Sequence, residues 1–495
     1  MSPALKRLLG ATALPAMFIA ALPADARPVP AAQQDAILST LERAKPQLDD
    51  AALQIWSFAE MGYLEEQSSA LLQGRLQEAG FTVTPGVAGQ PTAFVASYRN
   101  GDGPVVAILA EYDALPGLSQ AAAPERQPLG APAGHGCGHN LFGAASTYAG
   151  IAIKQWMEAN GIKGELRVYG TPAEEGGSGK AYMVRDGLFD DVDVALHWHP
   201  GNENDASQGR SLANISGKFQ FSGRSSHAAG APSAGRSALD GVEAMNAMVN
   251  LMREHIPDGT RIHYAITEGG KAPNVVPSAA EVYYYVRHVD PQVVRDVMAW
   301  VESAAEGAAM GTQTSVAFEQ TGGVYSMMPN AALMPVMDTA LQRVGGIEWT
   351  ADEVAFARTL QQSFEGRTPP SLESVGEVQP AVLDEDGGVG GSTDVSDVSW
   401  VVPTVGLSTA TFVPGSAGHS WQNVAAAGSS IGLKGALVAA KTLALAGAEL
   451  FISPETIAQA TAELAERRGP DFEYVAMIGD RAPPLDYRLA AAGGQ

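Results

Sequence analysis

Four short apolar runs along the chain each end at a group of polar side chains. The runs have the length of buried strands, patterns with helical spacing separate them, and they span residues 104–110, 165–169, 192–196 and 404–408. Strands that alternate with helices in this way form a largely parallel sheet covered by helices. The sequence therefore predicts an α/β domain. Because open α/β sheets bind ligands at the carboxyl ends of their strands, it also predicts a functional site at that edge.

The middle of the chain has a different pattern. Its predicted strands and amphipathic helices include residues 218–221, 237–254, 281–286 and 291–309. The order β-α-β-β-α-β is that of a ferredoxin-like α+β unit. We therefore expect an inserted domain over residues 217–329, flanked by two parts of a catalytic domain, residues 27–216 and 330–495.

The first residues have the composition of a targeting signal. Lys6 and Arg7 precede a mostly apolar stretch, residues 8–22, and Ala24-Asp25-Ala26 fits a cleavage site with small residues. The apolar stretch is too short for a comfortable membrane span. We expect residues 1–26 to be a cleavable signal peptide and the mature chain to be periplasmic or secreted.

The charge of the chain restricts its partners. It has 31 basic and 54 acidic residues, which give a formal net charge of −23. This balance disfavours nucleic-acid binding and provides no basic patch for a membrane surface. We therefore expect no nucleic-acid partner and no stable membrane association.

The single cysteine of the chain stands between two histidines, in His135-Gly136-Cys137-Gly138-His139-Asn140. One cysteine cannot form an intrachain disulfide. A thiolate beside imidazoles is a good ligand set for Zn²⁺ or Mn²⁺, although a small buried side chain beside incidental histidines has the same appearance. The histidines and glutamates further along the chain favour a metal site. The preceding residues, 119–134, either shape the pocket or form a surface loop.

Two more polar groups follow predicted strands. Glu174 and Glu175 are adjacent carboxylates, which repel each other unless a cation lies nearby. One of them can bind metal while the other moves protons, and a metal-activated water with a carboxylate base is an effective way to hydrolyse an amide. The alternative is a solvated acidic turn. His197 and His199 lie two residues apart on an extended segment, so either can reach a metal.

These motifs and several others, in this order, resemble one family. The resemblance is to the dinuclear-metal amidohydrolases and peptidases that include aminoacylases, glutamate carboxypeptidases and auxin-conjugate hydrolases, and most to their branch that contains the B subunit of aminobenzoyl-glutamate hydrolase. The segments that carry it are Glu111-Tyr112-Asp113-Ala114-Leu115-Pro116, Gly136-Cys137-Gly138-His139-Asn140, Thr171-Pro172-Ala173-Glu174-Glu175, Trp198-His199-Pro200, Asn274-Val275-Val276-Pro277, Gly391-Ser392-Thr393-Asp394-Val395 and Gly418-His419-Ser420-Trp421.

The resemblance implies a role for each candidate residue. Two divalent ions per chain, Zn or Mn, would be bound by Cys137, His139, Glu175, His419 and either His199 or His197. An alignment on Trp-His-Pro favours His199, and one on Leu-His favours His197. Glu174 would be the general base and acid, and Asp113 would lie beside the metals. The inserted domain would act as a lid and a dimerisation domain, with His227, Asn274 and Arg287 binding the substrate.

The expected activity is metal-dependent hydrolysis of the linear amide bond of N-acyl or N-aroyl amino acids. The expected assembly is a homodimer in which His227 reaches the active site of the other subunit. Two other functions remain open, a periplasmic dipeptidase or carboxypeptidase of broader specificity and a non-catalytic binding protein of the same fold. The presence of Glu174 together with all candidate ligands disfavours the binding protein.

Overall fold

A computed structural model describes residues 28–366, 368–385 and 391–489. The signal peptide predicted for residues 1–26 lies outside the described residues.

Short strands and longer helices alternate along most of the described chain. In chain order, the strands are β1 (Thr82–Pro85), β2 (Phe94–Arg99), β3 (Val105–Ala110), β4 (Leu115–Pro116), β5 (Ala133–Gly134), β6 (Glu165–Gly170), β7 (Val194–Leu196), β8 (His199–Gly201), β9 (Gln208–Gly209), β10 (Ala213–Ser222), β11 (Arg261–Glu268), β12 (Ala279–His288), β13 (Ser315–Val324), β14 (Leu383–Asp384), β15 (Thr404–Val405) and β16 (Ser408–Ala410). The helices are α1 (Ala31–Phe58), α2 (Glu66–Glu78), α3 (His139–Asn160), α4 (Glu174–Gly177), α5 (Gly179–Arg185), α6 (Ala238–Met252), α7 (Pro291–Thr312), α8 (Met334–Val344), α9 (Ala351–Gln361), α10 (Val395–Val401), α11 (Trp421–Ala427), α12 (Ser430–Ile452) and α13 (Pro454–Arg468).

The main sheet has six strands in the order β1-β2-β6-β3-β7-β15. Strands β6, β3, β7 and β15 are parallel, and the hairpin β1–β2 adds an antiparallel edge next to β6. The predicted α/β fold with a largely parallel sheet is confirmed. The run at 404–408 is not one strand, because the chain changes partner from β7 to β8 and so forms β15 and then β16.

Two long helices form the centre of the core against this sheet. Most residues of α3 and of α12 are buried. Gly447 allows α12 to approach α3 closely, since a Cβ at this position would lie 2.6 Å from Cδ1 of Ile153. By length and composition α12 would also suit a membrane span, but 83% of its most apolar window is buried inside the protein. A helix that is apolar all round is expected at such a buried position.

The inserted domain is a four-stranded antiparallel sheet in the order β11-β12-β10-β13, with α6 and α7 packed against it. Its elements follow the predicted order β-α-β-β-α-β. The helices begin where the sequence provides caps. Ser237 accepts a hydrogen bond from the backbone of Asp240, and Asp290 precedes a proline at the first helical position of α7.

Candidate active site

The candidate metal ligands lie together at the carboxyl edge of the main sheet. One group of ligand atoms comes from Cys137, His139 and His199, and another comes from Cys137, Glu175 and His419. Within each group the ligand atoms lie within 4.8 Å of one another. The two groups share the Cys137 thiol, so the arrangement has the form of two adjacent cation sites with one common ligand.

Hydrogen bonds hold two of the histidines with Nε2 directed to this cluster. His139 Nδ1 lies 2.8 Å from Asp113 Oδ1, and His199 Nδ1 lies 2.8 Å from the carbonyl oxygen of Pro200. An Nδ1–H that donates to such an acceptor leaves Nε2 with a lone pair for a metal. His199 Nε2 is 3.5 Å from Cys137 Sγ. Asp113 therefore lies beside a candidate ligand, His139.

The backbone near the cluster has unusual local conformations. Gly138 has φ 76°, and a Cβ there would lie 2.9 Å from the side chain of Pro200, so only glycine fits between the cysteine and His139. Three residues with a Cβ, Ala173, Ser178 and His419, also have positive φ. Such residues are uncommon and concentrate at functional sites. These three occur in the segments that carry the two glutamates and the last histidine.

Glu174 and Glu175 occupy different places in the cluster. Glu175 Oε1 lies 3.4 Å from His419 Nε2, whereas the Glu174 carboxylate is grouped with Glu111 and His139. Burial, and then the negative charge of Glu175, raises the pKa of the Glu174 carboxyl well above its usual value. A carboxyl group with a raised pKa can both accept and release a proton near neutral pH.

The chemistry of the donor set fits divalent metal ions. Oε1 of Glu175 is buried and has no hydrogen-bond partner among the described residues. Burial also raises the pKa of the Cys137 thiol, so a nearby cation is required to make it a thiolate. Sulfur, imidazole nitrogen and carboxylate oxygen together suit Zn²⁺ and similar ions.

The structure brings His199 to the cluster and does not bring His197. The ring of His197 lies against Gly406, where a Cβ would be 2.2 Å from its Nε2. Burial lowers the pKa of His197 to about 4, so the ring is neutral.

We therefore expect the variants of the two histidines to differ. His197→Ala should keep bound metal and part of the activity, because it removes only a packed ring beside the site. His199→Ala should lose metal, because it removes a ligand atom near Cys137 Sγ. Metal content per chain, measured on both purified proteins, checks this expectation. Metal loss in the first variant alone would assign the ligand role to His197.

A cavity of about 650 Å³ adjoins the cluster, between the main domain and the inserted domain. Its wall includes the residues Cys137, Glu174, Glu175, His199 and His419 from one side and Asn214, Tyr285 and Arg287 from the other. A cavity of this size, at a domain boundary and with convergent polar groups, is typical of a small-molecule site. None of the residues 119–134 lines it.

Two predicted substrate contacts do not line this cavity. His227 and Asn274 are exposed and lie beside each other in the inserted domain, where the Ala228 N–H donates to the Asn274 carbonyl at 3.0 Å. Arg287, by contrast, lines the cavity. The described chain therefore brings one of the three predicted substrate-binding residues to the cavity beside the metal cluster.

A buried ion triad lies next to the cluster, and the sequence motifs did not predict it. Lys180 Nζ is 2.6 Å from both Glu111 Oε1 and Asp394 Oδ1. Glu111 Oε2 is also 3.1 Å from His139 Nε2. Glu111 had a usable signal, since it follows a strand end as Asp113 does. Lys180 had none, because a lysine on a helix is usually exposed.

Comparisons with known proteins agree with this geometry. Residues 213–312 match the model of a family described as a peptidase dimerisation domain. The chain is 41% identical over 437 residues to the B subunit of p-aminobenzoyl-glutamate hydrolase from Escherichia coli strain K12, a match that covers 83% of this chain and 90% of the relative. It is 29% identical over 433 residues to Xaa-Arg dipeptidase of Mus musculus, with 83% and 89% covered.

The fold also matches solved structures. One is a Bacillus subtilis protein described as a dinuclear metal binding peptidase from the M20 family, with a TM-score of 0.55 and 16% identity over 83% of this chain and 98% of that chain. At this identity the match shows the shared fold. The extended identity to the Escherichia coli hydrolase shows more, and it confirms the resemblance drawn from the motifs. The chain belongs to the M20 family of metal-dependent peptidases and amidohydrolases.

Proposed function

We propose that this protein hydrolyses the linear amide bond between an acyl or aroyl group and an amino acid with a free carboxylate. The observation that carries the proposal is the pair of ligand groups sharing Cys137, with Glu174 and Arg287 on the wall of the same cavity. The 41% identical relative acts, by its name, on p-aminobenzoyl-glutamate, which is an N-aroyl amino acid.

The ligand groups assign the residues that would hold two divalent ions, Zn or Mn. Cys137, His139 and His199 would hold one ion, and Cys137, Glu175 and His419 would hold the other. Ions bound there supply Lewis acidity toward the amide carbonyl and lower the pKa of water. Asp113 positions one ligand of each group. It lies 2.8 Å from Nδ1 of His139, and it accepts a hydrogen bond from the backbone N–H of Glu175 at 2.8 Å.

Glu174 is the proposed general base and acid. Its carboxylate lies at the cavity wall, and its raised pKa suits a group that takes a proton from the attacking water and delivers it to the leaving nitrogen. Arg287 would face the free carboxylate of the amino acid from the inserted domain. Glu174 and Arg287 would thereby place the scissile amide between the inserted domain and the metal ligands.

The test is hydrolysis of a substrate panel by the purified, metal-loaded protein. The panel contains N-acyl amino acids, N-aroyl amino acids and dipeptides, and release of the free amino acid is measured. We expect turnover of the N-acyl or N-aroyl amino acids. Turnover restricted to dipeptides would favour the second candidate, which the similarity to an Xaa-Arg dipeptidase supports. Binding without turnover would contradict hydrolysis and favour a binding protein.

We also propose that the active protein is a homodimer in which His227 completes the active site of the partner subunit. The match to a dimerisation domain supports oligomerisation. Strand β11 is an edge strand, and residues Tyr264 and Ile266 on it are partly exposed apolar side chains. His227 is exposed in the same domain, so a two-fold axis there can carry it to a second copy.

Mixing two inactive variants tests this assembly. A His227→Ala chain and a Glu174→Gln chain, carrying different affinity tags, should form hybrid dimers in which one site has both residues intact. Since the variants are complementary, activity should reappear in the doubly purified hybrid and stay low in each variant alone. A hybrid without recovered activity, or a fully active monomer, would overturn the trans arrangement.

A further inference from the structure

The C-terminal segment after α13 reaches the active site. The Tyr487 hydroxyl donates to the carbonyl oxygen of Glu175 at 3.1 Å, and Arg488 Nη2 donates to the same oxygen at 2.6 Å. The N–H of Glu175 is held by Asp113 from the other side. The segment therefore helps to fix the backbone of a candidate metal ligand, and it brings Arg488 to the cavity wall.

The side chain of Tyr487 is closely packed against its neighbours. A Cβ at Gly62 would lie 2.1 Å from the Tyr487 hydroxyl, so this glycine leaves the room that the tyrosine occupies. The Tyr487 ring meets that of Tyr63 edge-on, with 5.8 Å between the ring centres. The Arg488 guanidinium lies 4.7 Å from the centre of the Tyr487 ring, a cation–π contact that orients it.

The same segment is held to both domains upstream of Arg488. Gln320 on β13 donates to the carbonyl oxygen of Met477, and Arg185 Nη1 donates to the carbonyl oxygen of Arg481 at 2.7 Å. These contacts come from the inserted domain and from the main domain. Hydrogen bonds from both domains therefore hold the segment that carries Arg488 to the cavity wall.

Two guanidinium groups, those of Arg287 and Arg488, line the cavity. Each has a buried Nε without a hydrogen-bond acceptor in the part of the chain that the structure describes. The Glu175 carbonyl uses one of the five N–H groups that the Arg488 guanidinium offers. The remaining N–H groups suit a carboxylate, whose two oxygens match the guanidinium fork.

We propose that Arg488 is a specificity-determining residue that binds a second carboxylate of the substrate, in addition to the carboxylate that Arg287 faces. The inference rests on the amide hydrolysis proposed above and deepens it to dicarboxylic conjugates. The second carboxylate belongs to the side chain of an acidic amino acid or to the acyl group. In both cases its chemistry is the same, a planar anion beside a guanidinium with N–H groups to donate.

Matched substrates separate this role from a purely structural one. The side-chain arm compares kcat/KM for N-benzoyl-glutamate and N-benzoyl-glutamine, which have similar shapes and differ in charge. The acyl arm compares N-(4-carboxybenzoyl)-alanine and N-benzoyl-alanine. The wild type should prefer the dicarboxylate in one arm by about 10- to 100-fold, the size expected for hydrogen bonds between charged groups. Arg488→Gln should remove that preference, mainly through KM.

Tyr487→Phe is the control, because it removes the other donor to the Glu175 carbonyl and leaves the guanidinium in place. It should lower turnover of both members of each pair equally. An unchanged preference in Arg488→Gln, or a wild type without preference in either arm, would overturn the proposal. Calorimetric binding of the same pairs to Glu174→Gln, with and without Arg488→Gln, gives the ratio independently of turnover. If the wild type hydrolyses none of these compounds, but Arg488→Gln still removes the binding preference, the proposed function is refuted and the role of Arg488 stands.

Discussion

Replacing Glu174 with glutamine is expected to lower kcat by roughly 10²- to 10⁴-fold while bound metal is retained. The amide keeps the size of the side chain and cannot accept the proton of the attacking water. Glu174 is grouped with Glu111 and His139 and belongs to neither of the two groups that share Cys137, so both of those groups keep all their ligand atoms in the variant. The measurement is kcat on an N-aroyl amino acid together with metal content per chain.

Glu175→Gln is the matched control for this variant. Glu175 lies between Cys137 and His419 in a ligand group, so the same chemical change one residue along the chain should reduce metal occupancy. The pair of variants separates proton transfer from metal binding, since each replaces one buried carboxylate by its amide. Metal loss in the Glu174 variant, with normal occupancy in the Glu175 variant, would reverse the two roles.

Removing the metal is expected to reduce hydrolysis to the uncatalysed background, and adding Zn²⁺ or Mn²⁺ should restore it. Without cations the buried Glu175 Oε1 has no hydrogen-bond partner among the described residues, and burial keeps the Cys137 thiol protonated. The measurement is activity before and after dialysis against a chelator. Circular dichroism is the control, and it should show that the metal-free protein stays folded. The core between α3 and α12 is apolar, and His139, the one candidate ligand on α3, lies at the first position of that helix.

Much of the fold could be predicted because buried strands leave a strong signal. The apolar runs at 104–110 and 165–169 correspond to β3 and β6, and their parallel pairing follows from the helix between them, α3. The polar residues that follow these strands meet at one edge for the same reason. The cluster around Cys137 was therefore accessible to sequence reasoning, since its members follow strand ends or begin a helix.

Other features depend on contacts that sequence periodicity does not report. The spacing of His197 and His199 predicts side chains on the same side of an extended segment, but His197 packs against Gly406 whereas His199 reaches Cys137. That packing coincides with the change of strand partner that divided the run at 404–408. Arg488 reaches Glu175 across 313 positions of sequence from an irregular segment, so no local pattern could have identified it.

Stepwise metal titration of the metal-free protein tests the central claim most directly. Bound ions and hydrolysis of an N-aroyl amino acid are followed together as Zn²⁺ or Mn²⁺ is added. We predict that activity rises until two ions are bound per chain, one for each of the two ligand groups that share Cys137. Full activity in protein that contains no metal would contradict this account of the site.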